Sequence, residues 1–78
     1  MSEISYKGYI IRPAPLPLAD GRWNHEVYVV RDRGYELVER KFFSAASFAT
    51  REKAIAQCVA FGKQVIDGAV PNCSVDDL

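Results

Sequence analysis

Apolar positions recur along this chain in two different ways, and the change from one to the other falls near residue 50. From Tyr6 to Phe43 they come in short runs rich in aromatic and β-branched side chains, whereas from Ala54 to Ile66 they return at intervals of three and four. The first run, Tyr6-Lys-Gly-Tyr-Ile-Ile-Arg12, is stopped by Pro13, which has no N–H for a ladder, and predicts a strand over about 6–12. Trp23-Asn-His-Glu-Val-Tyr-Val-Val-Arg31 predicts a second over 23–31. After a turn at Asp32-Arg33-Gly34, the run Tyr35 to Phe43 predicts a third over 35–43, antiparallel to the second through a short hairpin loop. Between the first two, Pro13, Pro15 and Pro17 at spacing two predict a stiff extended connector that Asp20-Gly21 closes with a turn.

After a crossing segment at 44–50, Thr50 is placed to cap a helix over about 51–67, with Glu52 near its positive end. Ala54, Ile55, Cys58, Val59, Phe61, Gly62, Val65 and Ile66 form its apolar stripe, and Gly68 is suited to the left-handed residue that ends a helix. Gly62 costs about 1 kcal/mol against alanine inside a helix, so its presence predicts close approach of the sheet, by Trp23 or Tyr9. The tail, 69–78, with Pro71 and the Asp76-Asp77 pair, is expected to be loosely ordered beyond an anchor at Val70. Together these elements predict one α+β domain over 1–78: a three-stranded antiparallel meander with one C-terminal helix packed on one face.

A helix of about 17 residues spans about 25 Å and covers one side of such a sheet. The other side should be polar, yet both phases of the second and third strands carry apolar residues. The preferred phase puts Trp23, Val27, Val29, Val38 and Phe42, with Tyr9 or Ile10, beneath the helix. Tyr28, Val30, Leu37 and Phe43 then face outwards among Glu26, Glu39 and Lys41, as a candidate surface for a protein partner or a second copy of the chain. The competing reading is that the tail or the proline connector folds over them.

Size strengthens the case for association. A chain of 78 residues and 8.7 kDa buries only about 60% of the surface its unfolded form exposes, which leaves a thin core. Its ten Lys and Arg balance ten Asp and Glu, seven against six over residues 1–50 and three against four over 51–78, so neither half is a basic arm. Cys58 falls on the buried stripe, both Cys58 and Cys73 read as reduced thiols, and no signal-peptide pattern or apolar span occurs; the expected compartment is the cytoplasm, without membrane insertion.

Candidate chemistry is sparse. His25 is the single histidine, the serines lack a nucleophile elbow, and Glu36 and Glu39 fall on opposite strand faces. The glycines stand alone rather than in a phosphate loop. The expectation is a non-enzymatic domain with no metal and no cofactor. A second reading takes the outer sheet face into a nucleic-acid groove, with Arg22, Arg31, Arg33, Arg40 and Lys41 as contacts, although interleaved Glu26, Asp32, Glu36 and Glu39 disfavour it.

The segments Tyr6-Lys-Gly-Tyr-Ile-Ile-Arg-Pro-Ala-Pro, Gly21-Arg-Trp23, Phe42-Phe-Ser-Ala-Ala-Ser-Phe-Ala-Thr-Arg-Glu-Lys-Ala and Gly62-Lys-Gln-Val-Ile-Asp67 resemble the short proteobacterial β-β-β-α domains and, more distantly, the HlyU-type transcriptional regulators. The resemblance spans about residues 6 to 68. It implies a bacterial, non-enzymatic α+β module with a regulatory role, and it transfers no catalytic motif.

Overall fold

The computed structural model describes residues 3–71, 73–75 and 78. It is an α+β domain in which one helix lies on an antiparallel sheet, and the sheet has four strands in the order β1-β2-β3-β4 rather than three. The strands are β1 (Ile4–Tyr6), β2 (Tyr9–Pro13), β3 (Trp23–Asp32) and β4 (Leu37–Phe48), followed by α1 (Arg51–Ile66). The expected first strand over 6–12 is thus two strands. Lys7 and Gly8 both take positive φ, 49° and 85°, which folds Tyr6 back onto Tyr9 in a two-residue hairpin whose twist matches its strands. Glycine adopts that conformation freely, but lysine does so at a cost.

Lys7 has a reason to be there. Its Nζ lies 2.6 Å from Asp67 Oδ1 while the Tyr6 hydroxyl donates to Asp67 Oδ2 at 2.9 Å, tying the hairpin to the residue that ends α1. A carboxylate at a helix C-terminus opposes the dipole, and Lys7 supplies the compensating charge. The end itself is a full Schellman motif: Gly68 N–H donates to Val65 O and Ala69 N–H to Gln64 O, with Gly68 at φ 77°. At the other end Thr50 Oγ1 accepts from Lys53 N–H at 3.1 Å, as its position predicts.

The connector explains its prolines. Ala14 N–H donates to Glu26 O, Leu16 N–H to Asn24 Oδ1 and Leu18 N–H to Arg22 O, so every second residue bonds to β3 or to the residue that precedes it. Pro13, Pro15 and Pro17 occupy the intervening positions, where an N–H would point away from β3.

The helix packs on the side carrying Ile11, Val27, Val29 and Phe42, which form the core with Cys58, Phe61 and Val65. The preferred strand phase therefore holds for these residues, with two changes. Trp23 is half-buried outside that cluster, and Ile11 takes the β2 position expected of Tyr9 or Ile10; Tyr9 packs at the core's margin, and Ile10 pairs with Val30 on the far side. The close approach at Gly62 is likewise made by Ile11, not by Trp23 or Tyr9: a Cβ on Gly62 would stand 2.7 Å from Ile11 Cγ2.

Two further expectations change. β4 does not stop at Phe43 but runs through the expected crossing segment to Phe48, and the register shifts between Asn24 and His25: His25 pairs with Ser44 and Asn24 with Ser47, leaving Ala45 and Ala46 as a bulge. The tail is not loose at its described residues, because Val75 and Leu78 are buried in the core and Arg31 donates to Leu78 O at 3.4 Å. A helix of 16 residues reaches about 24 Å while the ten residues of β3 extend about 33 Å, so the returning tail fills the part of the inner face that α1 leaves. The Asp76-Asp77 pair lies outside the described residues.

Gly62→Ala should lower stability by about 1–3 kcal/mol in urea denaturation, because the clash with the fully buried Ile11 outweighs a helix-propensity gain of about 1 kcal/mol. A stabilised variant would show that Ile11 has room to retreat. The second expectation concerns pH. The Asp67 carboxyl is held below its ordinary value, first by the hydrogen bond from Lys7 and then by that from Tyr6. Its contribution is therefore present above pH 3.8 and lost as pH falls through the lower folded value. The stability difference between wild type and Lys7→Met should hold steady from about pH 5 to pH 9 and shrink in acid; an unchanged difference at about pH 2 would show that the pair is not its source.

Candidate interaction surface

The face turned away from α1 is built by cross-strand rows. Ser5, Ile10, Val30 and Glu39 form one row, Arg12, Tyr28 and Lys41 the next, and Glu26 with Phe43 and Asp32 with Leu37 lie on either side. Of the four expected partner-binding residues, all four point to this face, but they differ in what they offer. Leu37 and Phe43 are each 67% exposed, Tyr28 is half-buried, and Val30 is only 2% exposed. Val30 is thus removed as a contact residue. The cause is Arg12, which hydrogen-bonds Glu3 Oε2 at 2.9 Å and reaches 3.4 Å from Glu39 Oε2, crossing over β3 between the Tyr28 and Val30 rows.

The two exposed apolar residues are also not adjacent. Both lie on β4, six positions and about 20 Å apart, with Glu39 and Lys41 between them on the same face. Lys41 Nζ stands 3.9 Å from Glu26 Oε1. Within one chain the face therefore carries two apolar ends and a charged middle, rather than one continuous apolar patch.

The five basic residues considered for nucleic acid do not share a face. Arg31 and Arg40 belong to the helix-side phase, Arg31 over the Tyr9 ring and Arg40 over the Phe42 ring at 5.3 and 5.9 Å. Arg22 donates to Ser47 Oγ and O at the bulged end, and Arg33 faces Glu36 at 3.9 Å in the β3–β4 hairpin. Lys41 alone of the five sits on the outer face.

His25 is a core residue. Its Nε2 must donate to the Gln57 carbonyl at 3.2 Å, which leaves Nδ1 to accept from the Ser44 hydroxyl at 2.6 Å. Ser44 Oγ in turn accepts from Ala46 N–H at 3.2 Å, so this network holds the bulge, and Phe48 and Phe61 pack on the ring. Sequence reasoning identified the residue but had no signal for this role, since Ser44 lies in a stretch of small residues with little strand character. Among the described residues no group of three or more His, Cys, Asp or Glu side chains gathers as metal ligands, and no helix is long and apolar enough to cross a membrane.

No protein-family model, curated protein or solved structure matches this chain. The likeness to HlyU-type regulators rests on the sequence segments alone.

Both cysteines are free thiols, Cys58 fully buried and Cys73 partly so. Burial pushes the Cys58 thiol up, against weaker opposition from the backbone of Glu26 and Ala14. A disulfide reagent should titrate Cys73 in the native protein and Cys58 only after denaturation; a Cys73→Ser chain that still reacts promptly would place Cys58 at the surface.

Proposed function

We propose that this chain is a small non-enzymatic interaction or accessory domain that binds a protein partner or a second copy of itself through the sheet face opposite the helix. The observation that carries this reading is the exposure of Leu37 and Phe43 on that face, each two-thirds open to solvent. An exposed phenyl ring and isobutyl group gain from being covered, and a domain of this size gains stability by burying them; the other exposed large apolar side chains, Ile4, Leu16, Leu18 and Tyr35, belong to β1, the connector and the β3–β4 turn. Tyr28, half-buried, pairs with Lys41 in the row next to Phe43, while Val30 supports the strand from beneath Arg12. The two free thiols suit a reducing compartment, which supports the cytoplasm as the proposed location. The nucleic-acid alternative gains no support from the scattered placement of the basic residues.

Light scattering on the intact chain should give a mass approaching twice 8.7 kDa as concentration rises. Phe43→Glu or Leu37→Glu should return it to the monomer without loss of thermal stability at low concentration, because both side chains are exposed. A mass of 8.7 kDa at every concentration up to about 1 mM would overturn the self-association arm of this reading. A dimer indifferent to both substitutions would overturn the assignment of the face.

A further inference from the structure

The two edges of the sheet are unequal. On one side the edge is the three-residue β1 and then a connector in which Pro13, Pro15 and Pro17 stand where a further strand would need N–H donors. On the other side β4 pairs only with β3, and from Leu37 to Phe43 its register is unbroken and it is free of proline. The hairpin turn bounds this stretch before Leu37, and the bulge held by Ser44 and His25 bounds it after Phe43.

The hydrogen-bond phase of this edge can be read from the hairpin. Arg33 N–H donates to Glu36 O at 2.9 Å, so the alternation of an antiparallel ladder turns the backbone of Val38, Arg40 and Phe42 towards β3. Leu37, Glu39, Lys41 and Phe43 turn their N–H and C=O groups to the open edge. The bond from Ala14 N–H to Glu26 O fixes the same phase from the opposite side of β3. These four residues are also the ones whose side chains lie on the outer face.

From this we infer that two copies of the chain associate by antiparallel pairing of β4 with β4 about a two-fold axis at Arg40, joining their sheets edge to edge. The inference rests on the sheet-face reading above and specifies the occupant and the register. Centred on Arg40, Leu37 of each copy faces Phe43 of the other, and Glu39 faces Lys41. The exposed apolar ends that lie about 20 Å apart in one chain are thereby brought together twice, and each carboxylate meets an ammonium. On the inner side Val38 meets Phe42. No neighbouring register does this: a centre at Lys41 sets lysine against lysine and Glu39 against Phe43, while a centre at Glu39 sets glutamate against glutamate and Leu37 against Lys41.

Charged residues on an edge strand ordinarily deter pairing, and Arg40 does face its own copy here. Its guanidinium leans along the strand over the Phe42 ring, two residues away on the same face, which moves the charge off the two-fold position. The intrachain contacts of Glu39 and Lys41 are long, 3.4 and 3.9 Å, and both side chains remain about half exposed, so a second partner can be accepted without breaking the first.

The test uses the full chain in two single variants, Glu39→Lys and Lys41→Glu, each checked for native circular dichroism. Alone, each sets like charges opposite one another at two positions and should weaken the wild-type dimer by about tenfold or more. Mixed in equal amounts, they place two lysines opposite two glutamates and should recover dimer mass as a heterodimer. Separately, Arg40→Cys in a Cys73→Ser background should form an intermolecular disulfide on mild oxidation, since a non-hydrogen-bonded pair on the axis brings Cα atoms to about 4.5 Å. Dimer in the wild type, loss in both single variants, recovery on mixing and the cross-link together support the pairing. A wild-type dimer that Phe43→Glu breaks, but that both charge variants retain or that does not recover on mixing, overturns the edge pairing and leaves the sheet-face reading standing. A wild-type chain that stays monomeric overturns the edge pairing together with the self-association arm of the sheet-face reading.

Discussion

One helix can be laid on only one side of this sheet, and the contact of Gly62 with Ile11 fixes how close it comes. With no side chain at Gly62, the backbone of α1 settles onto the centre of β2 and β3, where Ile11, Val27 and Val29 are completely buried. From that contact the helix runs towards the β1–β2 hairpin, where Asp67 receives Lys7 and Tyr6, and in the other direction towards Thr50 and the bulged end of β4. The helix is shorter than the strand it covers, so the chain turns back at Gly68 and spends Val75 and Leu78 on the remainder. Nothing described is left for the outer face except the long polar side chains that grow from it. Arg12 covers its middle, and the β4 margin stays open.

The two ends of β4 are defined by different chemistry. At the hairpin, backbone bonding of Arg33 to Glu36 sets the phase of the ladder. At the far end a buried imidazole organises a bulge: His25 takes the Ser44 hydroxyl proton into a hydrogen bond, and the oxygen so oriented accepts from Ala46. The aromatic rings of Phe48 and Phe61 pack on the imidazole and hold it in place. Between these ends lies a run of unbroken register in which side-chain phase and backbone phase coincide, so the residues with exposed apolar or charged groups also carry the unshared backbone groups.

Much of this arrangement is written in local sequence. The Thr50 cap, the stripe from Ala54 to Val65, the Gly68 terminus and the phase that sends Val27, Val29 and Phe42 inwards all follow from spacing and from side-chain chemistry. The remainder depends on partners distant in sequence. A Lys-Gly pair gives a weaker hairpin signal than Asn-Gly, and the turn at Lys7 is favoured by Asp67, sixty residues away. Ser44, Ala45, Ala46 and Ser47 have low strand propensity and are held in β4 through His25. The tail reads as polar and loose because its two core residues, Val75 and Leu78, form no apolar run or repeat that pattern could detect. Val30 occupies an outward position and is nevertheless covered, since periodicity assigns a side without revealing which long neighbour will lie across it.

The alternation of proline in the connector has a consequence for how large any assembly can grow. A module with two receptive margins could add copies at both and extend without limit, as cross-β fibrils do. Here Ala14, Leu16 and Leu18 have already given their donors inwards, and the imino acids between them have none to give outwards. Recruitment along that flank ends where the pyrrolidine rings begin, so the architecture favours closed pairs over filaments.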